Sequence, residues 1–77
     1  MTTSKPSIEE MLTLREQVIL SLVASGLSSK QIADRLDISA WTVANHRKNM
    51  LAKTRSKSSA ELIQLYNNNY YMKNSHL

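Results

Sequence analysis

Apolar positions recur along this chain at helical intervals, in four runs separated by short polar stretches. In the first run Leu14, Val18 and Leu22 follow at four-residue steps, with Ile19 and Val23 beside them. "TLRE" at 13–16 opens it as a capping box, in which Thr13 offers its hydroxyl to free amides and Glu16 reaches back. Gly26 then stands where the residue just past a helix end needs a positive φ, so a first helix is predicted over about 14–25. "SSKQ" at 28–31 is a second box, Ser28 with Gln31, and opens a short amphipathic piece in which Ile32, Ala33 and Leu36 share a face. Residues 37–39, "DIS", hold a tight turn: Ile38 plugs the core and Ser39 caps a third helix over about 40–53. Ser58 with Glu61 starts a fourth helix, whose apolar side is Leu62, Ile63, Leu65 and Tyr66. Its far end is unmarked, because "YNNNYYMKNSHL" loses the period. Strand-like alternation is missing, and one glycine and one proline are too few for the turns of a β-protein. The expectation is an all-α, compact four-helix domain over 12–70. Residues 1–11 read as a flexible leader or linker around Pro6, with Met11 and Leu12 packing just before the first cap, and residues 71–77 read as a disordered tail.

A short helix, a turn of about three residues and a serine-capped helix together make a helix-turn-helix, whose second helix enters the DNA major groove. Ile32, Leu36, Ile38 and Val43 sit where the two helices pack, and Ala33 is small where their backbones come closest. Asp37 stands where many such turns carry glycine; aspartate tolerates left-handed geometry better than most residues. Projected at about 100° per residue with Val43 as the core direction, Met50 lies about 20° to one side, Arg47 about 40° to the other and His46 about 60° away. Trp41, Asn45, Lys48 and Ala52 fall on the opposite face, with Ala44 and Asn49 toward its edges. A tryptophan, an amide and an ammonium on one outward face suit a groove reader.

Charge strengthens that picture by its placement. The whole chain is +4, but residues 28–58 alone carry seven cations against two carboxylates, a net +5. A localised excess of this kind is the footprint expected for a polyanion, although a solvated surface gives the same count. Seventy-seven residues make one domain with a thin core. With no cysteine, and only His46 and His76 as nitrogen ligands, there is neither a disulfide framework nor a convincing metal site. No apolar run approaches a membrane span and no signal segment opens the chain, which therefore reads as cytoplasmic. Paired acids, a Ser/His/Asp set and a phosphate-cradling glycine loop are all missing, so no enzyme and no cofactor is expected.

"LTLRE", "GLSSKQIADRLDIS", "TVANHRKNMLAK" and "SSAELI", in this order from about Leu12 to Tyr66, resemble the LuxR-type, or GerE-like, DNA-binding domain of bacterial transcription regulators. The resemblance implies double-stranded DNA as partner, recognition by the third helix and frequent dimerisation through the fourth. The residue after Thr-Val is often lysine in that family and reaches the groove; here it is Ala44, which carries no charge for that contact. Lys48 matches another contact position of the family, and His46 a frequent histidine.

Each residue has a plainer alternative. Asn45 either pairs bidentately with adenine or only solvates the face; Ala44 suits a thymine methyl; Lys48 suits guanine or phosphate. Ser29 and Lys30, at the start of the second helix, suit a phosphate, as does Thr42, whose hydroxyl could instead cap its own helix. Trp41 lies along the sugar-phosphate wall or packs on a neighbouring helix. His46 reads as packing rather than a pH switch. Arg47 is expected to pair with Glu16 of the first box or to reach phosphate past it, and Lys53, Arg55 and Lys57 to give nonspecific backbone attraction. On the fourth helix Leu62, Leu65 and Tyr66 are the expected homodimer face, since one helix cannot turn all its apolar residues inward. RNA polymerase is a further candidate partner. Two rival readings stay open: a helix-turn-helix adaptor that binds protein through Trp41, and promoter recognition like that of sigma-factor region four.

Overall fold

The computed structural model describes the backbone of residues 7–74 and the side chains of residues 7–68. Five helices follow one another: α1 (Ile8–Met11), α2 (Leu14–Ala24), α3 (Ser29–Leu36), α4 (Ala40–Thr54) and α5 (Ser59–Asn74), with no strand among the described residues. The four long helices start where their capping residues predict. Thr13 accepts from the Glu16 amide at 3.1 Å while Glu16 accepts from the Thr13 amide at 3.0 Å, and Ser28 and Gln31 do the same at 3.2 and 2.8 Å. Ser39 accepts from the Thr42 amide at 3.0 Å. The third box forms in shifted register: Ser58 accepts from the Glu61 amide, but the Glu61 carboxylate takes the amide of Lys57.

Helices α2, α3 and α4 end alike. Gly26, Asp37 and Arg55 have φ of 96°, 58° and 56°, and the next residue's amide bonds back across the last turn, Leu27 to Leu22, Ile38 to Ala33 and Ser56 to Leu51. This is the Schellman arrangement, which satisfies carbonyls that the helix leaves free. Gly26 adopts the conformation without strain, whereas Asp37 and Arg55 carry a Cβ there.

The core is drawn from every helix: Ile8 and Leu12, then Ile19, Leu20 and Val23, then Ile32 and Ala33, then Val43 and Met50, and finally Leu62. Each large side chain buried in this way contributes about 1.5 to 3 kcal/mol against the conformational entropy that folding costs.

Four expectations are corrected. Residues 7–11 are not leader: Ser7 and Glu10 form a capping box over one helical turn, and the apolar Ile8 and Leu12 are buried in the common core. Residues 1–6 and 75–77 lie outside the described residues. Residues 71–74 are not tail but continue α5, since a nucleated helix extends at little cost even through poor formers. The first-run stripe is rotated: Leu14 is 80% exposed and Val18 45%, while Glu16, Ile19, Leu20 and Val23 face inward. Helix α2 is apolar nearly all round, and its neighbours decide which arc is covered. Last, Leu62 is 1% exposed, inside the core, and so is no part of a dimer face; of that set only Leu65 and Tyr66 stay half-buried, at the core's margin.

Candidate nucleic-acid interface

Helix α3, the turn at 37–39 and α4 pack against each other through Ile32, Ala33, Leu36, Ile38 and Val43. With Val43 and Met50 wholly buried, the rotation of α4 about its axis is set, and its opposite face must look outward. Trp41 is 74% exposed there, and Ala44, Asn45, Lys48, Asn49 and Ala52 are exposed with it. These side chains occupy about three turns of one face, a length of about 16 Å.

The remaining candidates divide. Lys30 is exposed at the second residue of α3, next to amides that the helix leaves free. Thr42 is half-buried, and its hydroxyl lies 2.8 Å from that of Ser39, so it is tied into the cap of its own helix. The Nδ1 of His46 is buried with no hydrogen-bond partner, which turns that edge of the ring toward packed side chains.

Arg47 does not pair with Glu16. Its Nη1 donates to Ser29 Oγ at 3.1 Å and its Nη2 to Ser59 Oγ at 2.9 Å. Glu16 instead receives Lys53, at 2.8 and 3.0 Å to its two oxygens, and this takes Lys53 out of the set of free surface cations. The reason is reach: α4 carries Lys53 to the buried carboxylate at the start of α2, while Arg47 emerges beside the starts of α3 and α5. Burial pushes the Glu16 carboxyl up, but the hydrogen bond and charge of Lys53, with the Thr13 amide and hydroxyl, outweigh it and hold the group below its ordinary 4.5. Neither Ser59 nor the Lys53 pairing was found by sequence reasoning, because contacts 12 and 37 residues apart leave no local pattern.

Among the described residues no cluster of three metal-ligating side chains occurs, and no helix is long and apolar enough to cross a membrane. Residues 10–66 match the family described as bacterial regulatory proteins, luxR family. The chain belongs to the luxR family. The family's description is one of regulatory proteins. The chain is 41% identical over 59 residues to Nodulation protein W of Bradyrhizobium diazoefficiens, which covers 77% of this chain and 26% of that protein. It is 45% identical over 56 residues to the transcriptional regulatory protein FixJ of Rhizobium meliloti, covering 73% and 28%. To the nitrate/nitrite response regulator protein NarL of Escherichia coli K12 it is 54% identical over 50 residues, covering 65% and 23%. The chain thus spans about a quarter of the length of these luxR-family relatives. No solved structure matches it.

Proposed function

We propose that this domain binds double-stranded DNA sequence-specifically in bacterial transcription regulation, at the nucleoid in the cytoplasm, with α4 in the major groove. The observation that carries the reading is the division of α4 into a face locked in the core by Val43 and Met50 and an outward face of Trp41, Ala44, Asn45, Lys48 and Asn49. Asn45 reads adenine, Ala44 meets a thymine methyl, and Lys48 takes guanine or phosphate, with Asn49 at the groove edge. Lys30, with Ser29 beside it, sets the start of α3 on the DNA backbone, and Trp41 lies along the sugar-phosphate wall. Thr42 acts through the cap it shares with Ser39. The half-buried Leu65 and Tyr66 on α5 are the surface left for a homodimer, which would place half-sites about one helical turn apart. RNA polymerase is a further partner of the assembled regulator.

The test is selection from a pool of random duplexes at two salt concentrations, with Asn45→Ala and Lys48→Ala beside the parent. Sequence enrichment is expected. Asn45→Ala costs about 1 to 3 kcal/mol on the selected site and relaxes one position. Lys48→Ala, if its contact is to phosphate, lowers the slope of log K against log salt by about 0.9. The exposed Trp41 also suits a protein-binding adaptor: no duplex bound even at low salt would favour it, and binding only with polymerase core would favour the sigma-like reading.

A further inference from the structure

Arg47 joins three helices. It projects from the middle of α4, half-buried, and its two Nη atoms bond the hydroxyls of Ser29 and Ser59, the first residues of α3 and α5. The two hydroxyls are neutral, and both stand at helix N-termini, where the local partial charge is already positive. The carboxylate expected from the sequence as its partner, Glu16, lies out of its reach and is held by Lys53. Charge pairing within the described residues therefore does not account for an arginine here. What the planar fork adds is direction: two donors fixed relative to each other hold two helix starts at once, which a single ammonium does poorly.

That direction bears on recognition. Base contacts come from α4 and backbone contacts from the start of α3, so their relative placement decides whether both can be made on one DNA site. The same fork ties in the start of α5, which has no contact assigned on DNA. We infer that Arg47 is a positioning residue: its fork to Ser29 and Ser59 sets the register of α3 against α4 and transmits the position of α5 to DNA discrimination. The inference rests on the DNA-binding reading above. Whatever moves the start of α5, such as a partner seated on that helix, then changes which sites the outward face of α4 accepts.

The experiment uses the duplex selected above and an unrelated duplex, with Ser59→Ala, Arg47→Lys, Arg47→Gln and the double variant Arg47→Gln/Ser59→Ala, all compared below their melting midpoints. Ser59→Ala is expected to lower the ratio of specific to nonspecific affinity by about three- to tenfold, with the salt slope unchanged. The double variant should be no worse than Arg47→Gln alone, and Arg47→Lys should fail to restore discrimination. A direct phosphate contact predicts the reverse: Ser59→Ala neutral, Arg47→Lys restored and the slope of Arg47→Gln lower by about 0.9. Those results would overturn the inference. If the parent binds no duplex, the DNA reading fails by itself, and the clamp is judged by amide NMR spectra without DNA. Ser59→Ala should then shift the Ser29 and Lys30 amides in the parent but not in Arg47→Lys; no shift at the start of α3 in the parent refutes it.

Discussion

Replacing Lys53 by methionine isolates the ion pair that closes α4 onto α2. Methionine keeps most of the stem and removes the ammonium, leaving Glu16, 3% exposed, without its cation. Breaking a fully buried pair costs about 3 to 5 kcal/mol. Here the Lys53 side chain is 40% exposed and Thr13 still donates to the carboxylate, so solvent screening and the surviving bonds bring the expected loss to about 2 kcal/mol. In a domain of this size that is a fall of about 8 to 16 °C in Tm, readable by circular dichroism. The pH dependence carries the sign. Glu16 has a folded pKa below its ordinary 4.5, so its contribution is fully present above that value and is lost as the pH falls through the folded pKa. Parent and Lys53→Met should therefore differ most near pH 7 and converge in acid, where the carboxyl is protonated in both. A difference under about 0.5 kcal/mol at pH 7, within the range of an ordinary surface substitution, would refute the reasoning. So would a difference that does not change with pH.

Two further substitutions test the packing and the helix ends. Leu62→Ala should cost about 2 to 5 kcal/mol in urea denaturation, whereas Leu14→Ala, the same side chain at an exposed position, should stay within about 0.5 kcal/mol; equal losses would mean that the core is misassigned. Arg55→Gly should raise stability by about 0.5 to 1 kcal/mol, because glycine relieves the left-handed strain at φ 56° and gives back part of that gain as unfolded-chain entropy. A loss on thermal denaturation would show that the Arg55 side chain contributes more than its backbone strain costs.

The starts of α2, α3 and α4, the positive φ at Gly26 and the outward face of α4 were all legible in the sequence, because each depends on residues three or four apart. A cap hydroxyl meets an amide three residues on, and a helical period assigns directions once one residue is known to face the core. Trp41, Asn45 and Lys48 follow from Val43 by that geometry alone. Tertiary structure had to decide whatever the local period leaves degenerate or whatever joins distant segments. On α2, apolar nearly all round, packing chose Ile19 and Leu20 over Leu14 and Val18; on α5 it took Leu62 inward. Two cations of one helix, Arg47 and Lys53, were both within reach of other elements, and only the assembled fold gave Glu16 to the second and the serines of α3 and α5 to the first. Local bonding energies select the helices, but the choice among partners 12 to 37 residues away is made by which side chains the core brings within 3.1 Å of each other.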